Sequence, residues 1–470
     1  MLETESLTIL KEALALLEKG FAGLPPLDLP ATTKDDTAER AVLSEVAERM
    51  RDNYPYFHPL YAGQMLKPPH PVARAAYALA MWINPNNHAL DGGRASSRME
   101  MEAVAALAGM FGWNDEAGQA GHPGHHLGGH LGHLTSSGTF ANLEALWIAG
   151  QLAPGKKIAA SSQAHYTHQR ISGVLGLSFV SVPCDRRGRM DMDALADLLR
   201  SEDIGTVVAT LGTTATGSVD PLPQIMELQA RHGFRVHLDA AYGGYFTLAG
   251  TLDQEARAAF DCATQADSIV IDPHKHGLQP YGCGCVLFRD ASVGRFYKHD
   301  SPYTYFTSDA LHLGEISLEC SRAGASAVAL WATQRLLPYE PGGEFARSLE
   351  RCRAAALDLH VRLKADRRFL TAFPPQLDIV IWAVRAGSVA ESSRLAQQVF
   401  ERATTLDLHL AVARIPIRFF PDNSWPASRS GEEAEQVLCL RSVLMKPEHP
   451  DWMDRIWERL SGALDELPYL

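Results

Sequence analysis

Six short apolar runs alternate with helical patterns between residues 156 and 288, and this alternation is the strongest constraint on the fold. The runs are KKIAAS (156–161), SFVSVP (178–183), TVVATL (206–211), RVHLDA (235–240), SIVID (268–272) and CVLF (285–288). Helical periodicity fills the intervals near 139–151, 165–175, 191–201 and 221–231. Apolar strands interleaved with helices predict a mainly parallel sheet buried on both faces. Ligands of such sheets bind beyond the carboxyl ends of the strands.

The flanking patterns divide the 470-residue chain into three parts. Residues 5–19 form an amphipathic helical pattern that ends at Gly20, with Leu7, Leu10, Leu14 and Leu17 on one face. A helix is predicted from Ser317 onward, and helices with alternating strands follow from Glu344, ending in a helix over 452–467. We therefore predict an N-terminal helical arm (1–95), a large domain (96–343) and a small α+β domain (344–470).

Charge and composition exclude several classes of protein. The net charge of −12 disfavours binding to nucleic acid or to an anionic membrane. No apolar run reaches the roughly 20 residues of a membrane span, and the acidic N-terminus lacks the pattern of a signal peptide. Seven scattered cysteines do not form a disulfide framework. We expect a cytoplasmic protein with neither nucleic acid nor membrane as a partner.

A glycine-rich tract before residue 135 contains five histidines: His122, His125, His126, His130 and His133. Such a tract is compatible with metal binding. However, no carboxylate or cysteine lies among these histidines, and the glycines would fix a metal site poorly. Cys283 and Cys285 are separated by one glycine, which is not a zinc spacing. We predict a flexible active-site or surface loop at the histidines, and no metal.

Lys275 follows the apolar run SIVID at the mouth of a predicted buried strand. Desolvation of an ammonium group is costly and favours loss of its proton. The resulting amine is a nucleophile that forms Schiff bases with carbonyls, including the aldehyde of pyridoxal phosphate. For a lysine seen alone, a side chain that reaches from a strand end to solvent is the commoner arrangement.

Three further features accompany this lysine. A small-residue turn runs into an apolar helix and is suited to bind phosphate or simply to cap the helix, with hydroxyls from Ser136, Ser137 and Thr139. Asp239 ends a predicted strand, where it would pair with a pyridinium nitrogen or cap a turn, and Ala241 leaves room beneath a ring. His165 follows the strand 156–161, where it would stack on such a ring or lie in the core.

The small-residue turn, His165, Asp239 and Lys275 follow one another in this order along the chain. This arrangement resembles the group II pyridoxal-phosphate-dependent decarboxylases, which include the aromatic-amino-acid, glutamate and archaeal tyrosine/aspartate decarboxylases. The resemblance runs from about residue 58 to 447, with its most specific motifs in HLDAAYGGYF and DPHKHGLQP. It implies the fold type I architecture of aspartate aminotransferase and a carboxy-lyase that converts an L-amino acid to its amine and CO2. It also implies a homodimer whose N-terminal arm wraps the partner, with active sites at the interface.

Matching positions imply roles for individual residues. Lys275 would hold the cofactor as a Schiff base, Asp239 would pair with its ring nitrogen and His165 would stack on the ring. Contacts to the phosphate or the ring would come from Ser137, Gly138, Thr139, Thr214, Ala241 and His274. The substrate would be bound by Arg441 and Gln64, and its α-carbon would receive a proton from Tyr303 or Tyr305. The chain departs from the family pattern at His276, which replaces a tryptophan, and at Lys446, which replaces an asparagine.

Two alternatives to decarboxylation stay open from the sequence. A carbon–carbon lyase of the sphingosine-phosphate lyase type would need a second basic cluster, for which Arg414, Arg418 and Arg441 are candidates. A non-catalytic protein that retains the fold as a binding module would not need Lys275, Asp239 and His165 together. Product analysis separates the first alternative from a decarboxylase, and uptake of pyridoxal phosphate separates the second.

Overall fold

A seven-stranded sheet forms the centre of the computed structural model, which describes residues 4–25, 36–113, 129–298, 317–425 and 435–465. Its strands are β1 (Leu131–Thr135), β2 (Lys157–Ser161), β3 (Phe179–Val182), β4 (Ile204–Thr210), β5 (Arg235–Asp239), β6 (Ser268–Ile271) and β7 (Gly284–Phe288). The spatial order is β1-β7-β6-β5-β4-β2-β3. Strand β7 runs opposite to the other six strands, so the predicted, mainly parallel α/β sheet is confirmed.

Helices alternate with these strands, and four of them lie at the intervals that the periodicity predicts. They are α5 (Gly138–Leu152), α6 (Thr167–Val174), α7 (Met192–Ser201), α8 (Leu222–His232), α9 (Gln254–Asp261) and α10 (Gly324–Leu336). All seven residues of β4 are buried, as expected of a strand covered on both faces. The carboxyl ends of β4, β5 and β6 therefore meet at one edge of the sheet.

Two sequence predictions within this unit are wrong. The histidine tract was expected to be a loop up to His133, but His133 lies in β1, which pairs with β7. The helix expected from Ser317 begins at Gly324 instead. The preceding segment is not helical because the backbone at its end pairs with another part of the chain: Asn87 N donates to Arg322 O at 2.9 Å, and Ala323 forms an antiparallel bridge with Asn86.

A second sheet lies in the C-terminal part of the chain. Its antiparallel strands are β8 (Phe369–Thr371), β9 (Ile379–Val384), β10 (Ala411–Pro416) and β11 (Gln436–Val443), in the order β10-β11-β9-β8. Three helices accompany it: α11 (Glu344–Ala365), α12 (Val389–Thr405) and α13 (His449–Asp465). Their apolar faces bury Trp382 completely, which confirms a small α+β unit.

The N-terminal part is helical, with α1 (Ser6–Lys19), α2 (Asp36–Met50), α3 (Pro71–Met81) and α4 (Arg94–Met110). Helices α3 and α4 pack on α10 and so belong to the body around the large sheet. The predicted domain boundaries at 95/96 and 343/344 stay predictions. Within the described ranges, no helix combines the length and apolar character required to cross a bilayer.

Candidate active site

A pocket opens at the carboxyl ends of β4, β5 and β6, against the first turn of α5. This is the edge at which parallel α/β sheets bind their ligands. Its lining residues come from five separate stretches of the chain: Gly138, Thr139, Asn142, His165, Thr167, Thr210, Gly212, Thr214, Asp239, Ala241, Tyr242, Asp272 and Lys275. Most of the predicted cofactor-binding residues therefore meet in one place.

Lys275 lies in the turn that follows β6, and its amine faces a buried carboxylate. Its Nζ is 3.0 Å from Asp272 Oδ2, while 22% of its side chain is exposed. Asp272 itself is 3% exposed, so the ion pair sits at the boundary between the pocket and the core. The lysine therefore points into the pocket region rather than freely into solvent, as its predicted role requires.

Asp239 is the last residue of β5, and both of its carboxylate oxygens have protein partners. Oδ1 accepts a hydrogen bond from the backbone N–H of Ala241 at 3.1 Å, and Oδ2 lies 2.7 Å from His168 Nε2. Burial alone would raise the pKa of the Asp239 carboxyl, but the hydrogen bond from His168 and the charge of Lys275 outweigh it and lower the pKa. The carboxylate is thus ionised at neutral pH although it is nearly inaccessible to water.

His168 was missed by sequence reasoning, although it lies in the motif AHYTHQR that identified His165. The signal that could have found it is helical spacing, because His168 is the second residue of α6 and follows His165 by three positions. Asn142, Thr167, Thr210, Gly212, Tyr242 and Asp272 were also not predicted. Most of these residues are small or uncharged, so they do not indicate a particular chemistry by themselves. Asp272 lies in the same motif as Lys275, which indicated the chemistry more clearly.

His165 lies on the pocket wall, where it was predicted to stack on a ring. Its Nδ1 is 2.7 Å from Thr167 Oγ1, which holds the imidazole in place. Burial lowers the pKa of His165, and the nearby charge of Lys275 also lowers it, whereas Asp239 raises it. A neutral, flat ring at this position can contact an aromatic ligand by its face.

The first turn of α5 faces the pocket through Gly138 and Thr139. Ser137 is the N-cap residue, and its Oγ accepts a hydrogen bond from Phe140 N at 3.2 Å, as in the helix-capping alternative. The backbone N–H of Ser136 donates to Glu319 Oε2 at 2.9 Å. The remaining N–H groups of the first turn and the helix dipole make this wall suited to an anion.

His274 is buried beside the pocket but does not line it. Its Nδ1 is 2.7 Å from the carbonyl oxygen of Cys283, and its Nε2 is 3.5 Å from Asp272 Oδ2. Burial is the main cause that lowers the pKa of His274. The carbonyl can only accept, so Nδ1 carries the proton. A contact between His274 and a phosphate stays a prediction.

Arg441 lies on β11 behind the pocket loop, not on the pocket wall. Its guanidinium donates to the carbonyl oxygens of Ala215 (3.1 Å) and Thr214 (2.7 Å) and to Gln64 Oε1 (3.3 Å). Arg441 thus connects Gln64 with the loop that holds Thr214. The role of both residues toward a substrate carboxylate stays a prediction. Tyr303 and Tyr305 lie outside the described residues.

The basic cluster required by the lyase alternative does not form around Arg441. Arg441 pairs with Ala411 across the small sheet, whereas Arg414 pairs with Leu438. Positions 411 and 414 are an odd number of residues apart, so their side chains point to opposite faces of the strand. Arg418 contacts the sulfur of Cys184 at 3.0 Å.

The two histidines that the structure describes in the glycine-rich tract are both buried. His133 Nε2 is 2.8 Å from Glu144 Oε2, and neither side chain is exposed, so this pair is part of the core. His122, His125 and His126 lie outside the described residues. In the described part of the chain, no three histidine, cysteine or acidic side chains are grouped to hold a metal ion.

Comparison with known proteins identifies the family of the chain. The model of the pyridoxal-dependent decarboxylase conserved domain matches residues 51–385, about 70% of the chain. The chain belongs to this family. It is a pyridoxal-phosphate-dependent amino acid decarboxylase, which confirms the predicted family, cofactor and reaction and makes it a carboxy-lyase.

Individual decarboxylases are similar in sequence or fold to most of this chain. The L-tyrosine decarboxylase of Enterococcus faecium is 26% identical, and the alignment covers 92% of this chain and 90% of that protein. The L-2,4-diaminobutyrate decarboxylase of Rhizobium meliloti is 29% identical over 77% of this chain and 73% of that protein. The crystal structure of mouse CSAD has a TM-score of 0.76 at 21% identity, covering 97% and 92% of the two chains, and shows the shared fold.

The donor set of the pocket fits pyridoxal phosphate. The cofactor has an aldehyde, a basic ring nitrogen and a phosphate. The pocket offers an amine at Lys275, a buried ionised carboxylate at Asp239 and a helix N-terminus at Gly138, one for each of these groups. No part of this set requires a metal.

Proposed function

We propose that Lys275, Asp239 and His165 are the catalytic core of this decarboxylase. The observation that carries the proposal is the meeting of all three side chains in one pocket at the edge of the parallel sheet. Lys275 would hold the cofactor through its aldehyde, and an incoming L-amino acid would take the place of the lysine. His165 covers one face of the ring, and Ala241 leaves room on the pocket floor.

When bound, pyridoxal phosphate supplies a protonated ring that accepts the electron pair left when CO2 leaves the α-carbon. Asp239 keeps a proton on the ring nitrogen, because its own pKa lies below the usual range and its carboxylate is ionised. The buried carboxylate acts at short range in a medium of low dielectric constant, where its charge has a larger effect than it would in water.

The phosphate would be held at the start of α5. The N–H groups of Gly138 and Thr139 at the start of α5 face the pocket, and the helix dipole favours negative charge there. Ser137, Thr214 and His274 complete the proposed cofactor contacts. Arg441 and Gln64 are proposed to position the substrate carboxylate, and Tyr303 or Tyr305 to return a proton to the α-carbon.

The lysine is tested by Lys275→Ala. The variant should lack the visible absorption band of lysine-bound cofactor and release no CO2, whereas circular dichroism should report an unchanged fold. A variant that retains both the band and turnover would contradict the assignment of Lys275. Wild-type enzyme that releases an aldehyde and no CO2 would instead contradict decarboxylation.

The substrate is tested by measuring CO2 release from a panel of L-amino acids with added pyridoxal phosphate. The panel includes tyrosine, aspartate and 2,4-diaminobutyrate, because relatives named for these substrates are 26–30% identical to the chain. The ratio of kcat/KM values among the panel gives the side chain that the enzyme prefers.

We further propose that the enzyme is a homodimer in which the N-terminal arm covers a second copy. Within the described chain, no residue of α2 is buried, and it exposes four large apolar side chains: Val42 (60%), Leu43 (68%), Val46 (49%) and Met50 (62%). In α1, Leu10, Leu14 and Leu17 are half-buried, but Leu7 is 62% exposed. A stripe of this kind normally marks an interface.

Light scattering tests the oligomeric state. We expect twice the chain mass of 51.4 kDa for the wild type and a larger monomer fraction for Leu43→Asp. Lys11→Ala, also on the arm, is a control for the change in charge, because both substitutions lower the charge by one unit. A wild-type monomer mass would contradict the proposed dimer.

We propose a cytoplasmic location because the cysteines are free thiols. All seven lie in the described residues and none forms a disulfide. Free thiols are typical of a reducing compartment. We also retain the division of the chain at 95/96 and 343/344 as a proposal, to be tested by limited proteolysis.

A further inference from the structure

A buried histidine lies directly behind the carboxylate of Asp239. His168 is completely buried in α6, and its Nε2 is 2.7 Å from Asp239 Oδ2. Its Nδ1 is also buried and has no hydrogen-bond partner among the described residues. An ionised carboxylate can only accept hydrogen bonds, so Nε2 is the donor in this contact.

A second buried histidine, His237, lies near His168. The ring of His237, two residues before Asp239 on β5, has its centroid 6.2 Å from that of His168. Its Nε2 is 2.8 Å from Asn142 Oδ1 and its Nδ1 is 2.9 Å from Ser268 Oγ, so both nitrogens have partners. His237 therefore holds Asn142, whereas His168 is the histidine that reaches Asp239.

The two contacts to Asp239 fix the carboxylate from two directions. Ala241 N holds Oδ1 from the following turn, and His168 holds Oδ2 from α6. An imidazole N–H is suited to this task, because it donates a directional hydrogen bond from a rigid ring to one carboxylate oxygen.

We propose that His168 is a positioning residue that holds Asp239 in the orientation in which its carboxylate meets the ring nitrogen of pyridoxal phosphate. The inference rests on the proposed roles of Lys275 and Asp239. A position that served only packing would favour an apolar side chain, because His168 leaves one ring nitrogen buried without a partner among the described residues. The hydrogen bond to Asp239 accounts for a histidine at this place.

Four variants test the proposal. His168→Leu removes the donor and retains an apolar side chain. His168→Gln places an amide N–H near the position of Nε2, whereas the shorter side chain of His168→Asn cannot reach Asp239. Ser172→Ala is the matched control: Ser172 is buried in the same helix, but its hydroxyl donates to the backbone oxygen of His168 at 2.8 Å.

Two measurements read out the state of the cofactor. The first is the dissociation constant of pyridoxal phosphate for the apoenzyme, from quenching of tryptophan fluorescence. The second is the pH dependence of the visible absorption of the bound cofactor. We expect His168→Leu to bind the cofactor about ten- to a hundredfold more weakly, the usual effect of one hydrogen bond to a charged group. Its absorption should change at a lower pH than in the wild type, because the ring nitrogen loses its proton more easily.

His168→Gln should recover most of both properties, and Ser172→Ala should equal the wild type in both. Wild-type values for His168→Leu would overturn the proposal. If that variant does not fold, as judged by circular dichroism, the two amides decide: equal affinities and equal pH profiles for Gln and Asn would overturn it. These outcomes are separate from the test of the proposed function, which depends on Lys275→Ala.

Discussion

Replacing Gly138 with alanine tests how closely the start of α5 approaches the carboxylate of Asp272. A Cβ atom built on Gly138 would lie 2.5 Å from Asp272 Oδ2 and 2.7 Å from its Cγ. Real Cβ atoms essentially never make contacts under 3.0 Å. The carboxylate or the helix start must therefore shift by roughly half an ångström or more before the extra methyl group fits.

Asp272 has little room for such a shift. It is 3% exposed, and its Oδ2 lies 3.0 Å from Lys275 Nζ. Overpacking of a buried site costs about 1–3 kcal/mol. A hydrogen bond between charged groups contributes about 1.5–3 kcal/mol, part of which would be lost if Asp272 moved away from the lysine. Because about 1.4 kcal/mol equals a factor of ten, we expect Gly138→Ala to bind pyridoxal phosphate at least about tenfold more weakly.

The assay is a fluorescence titration of the apoenzyme with pyridoxal phosphate, together with the visible absorption of lysine-bound cofactor. Gly173→Ala is the matched control, because Gly173 is an exposed helical glycine of α6 and a Cβ atom added there would meet no other atom within 4 Å. The control should keep the wild-type affinity and become more stable by up to about 1 kcal/mol. Wild-type affinity in Gly138→Ala would refute the close approach of Gly138 to Asp272.

Two further predictions concern the contact between the pocket and the small sheet. The hydroxyl of Tyr242 donates a hydrogen bond to the fully buried Asp378 at 2.5 Å, and Tyr242→Phe removes it. We therefore expect the free energy of unfolding in urea to fall by about 1.5–3 kcal/mol. An unchanged urea midpoint would contradict this prediction. Burial lowers the pKa of Lys446 from 10.5 to about 7. Between these two pH values the unfolded chain binds more protons at this lysine than the folded chain does. The free energy of unfolding that comes from Lys446 therefore rises with pH in this range. Lys446→Met should make this rise smaller. If the unfolding free energy of the variant depended on pH as it does in the wild type, the prediction would be wrong.

Local signals in the sequence were sufficient for much of the fold. The apolar runs from 156 to 288 predicted β2 to β7 within a few residues, because a strand buried on both faces needs a continuous apolar run. The same runs located Lys275 and Asp239, since each follows or ends one of them. The interval helices were predicted for a similar reason, because a helix that covers a sheet needs apolar residues at helical spacing.

Features that depend on distant parts of the chain were decided only by the tertiary structure. β1 was missed because its residues become a strand by pairing with β7, about 150 residues later. Asp378 could not be predicted as a partner of Tyr242, since nothing local at either residue indicates a contact between two sheets. Arg441 matched a substrate-binding position by sequence, but its donors are directed to the loop at 214–215.

The sequence by itself determined the layered α/β architecture and located the amine of Lys275 and the carboxylate of Asp239 at strand ends, because both depend on short stretches of consecutive residues. The folded chain decided how those groups are held. His168 reaches Asp239 from another element, 71 positions away in the sequence. Its orientation depends on where α6 lies against β5, and that relation exists only once the elements have packed together.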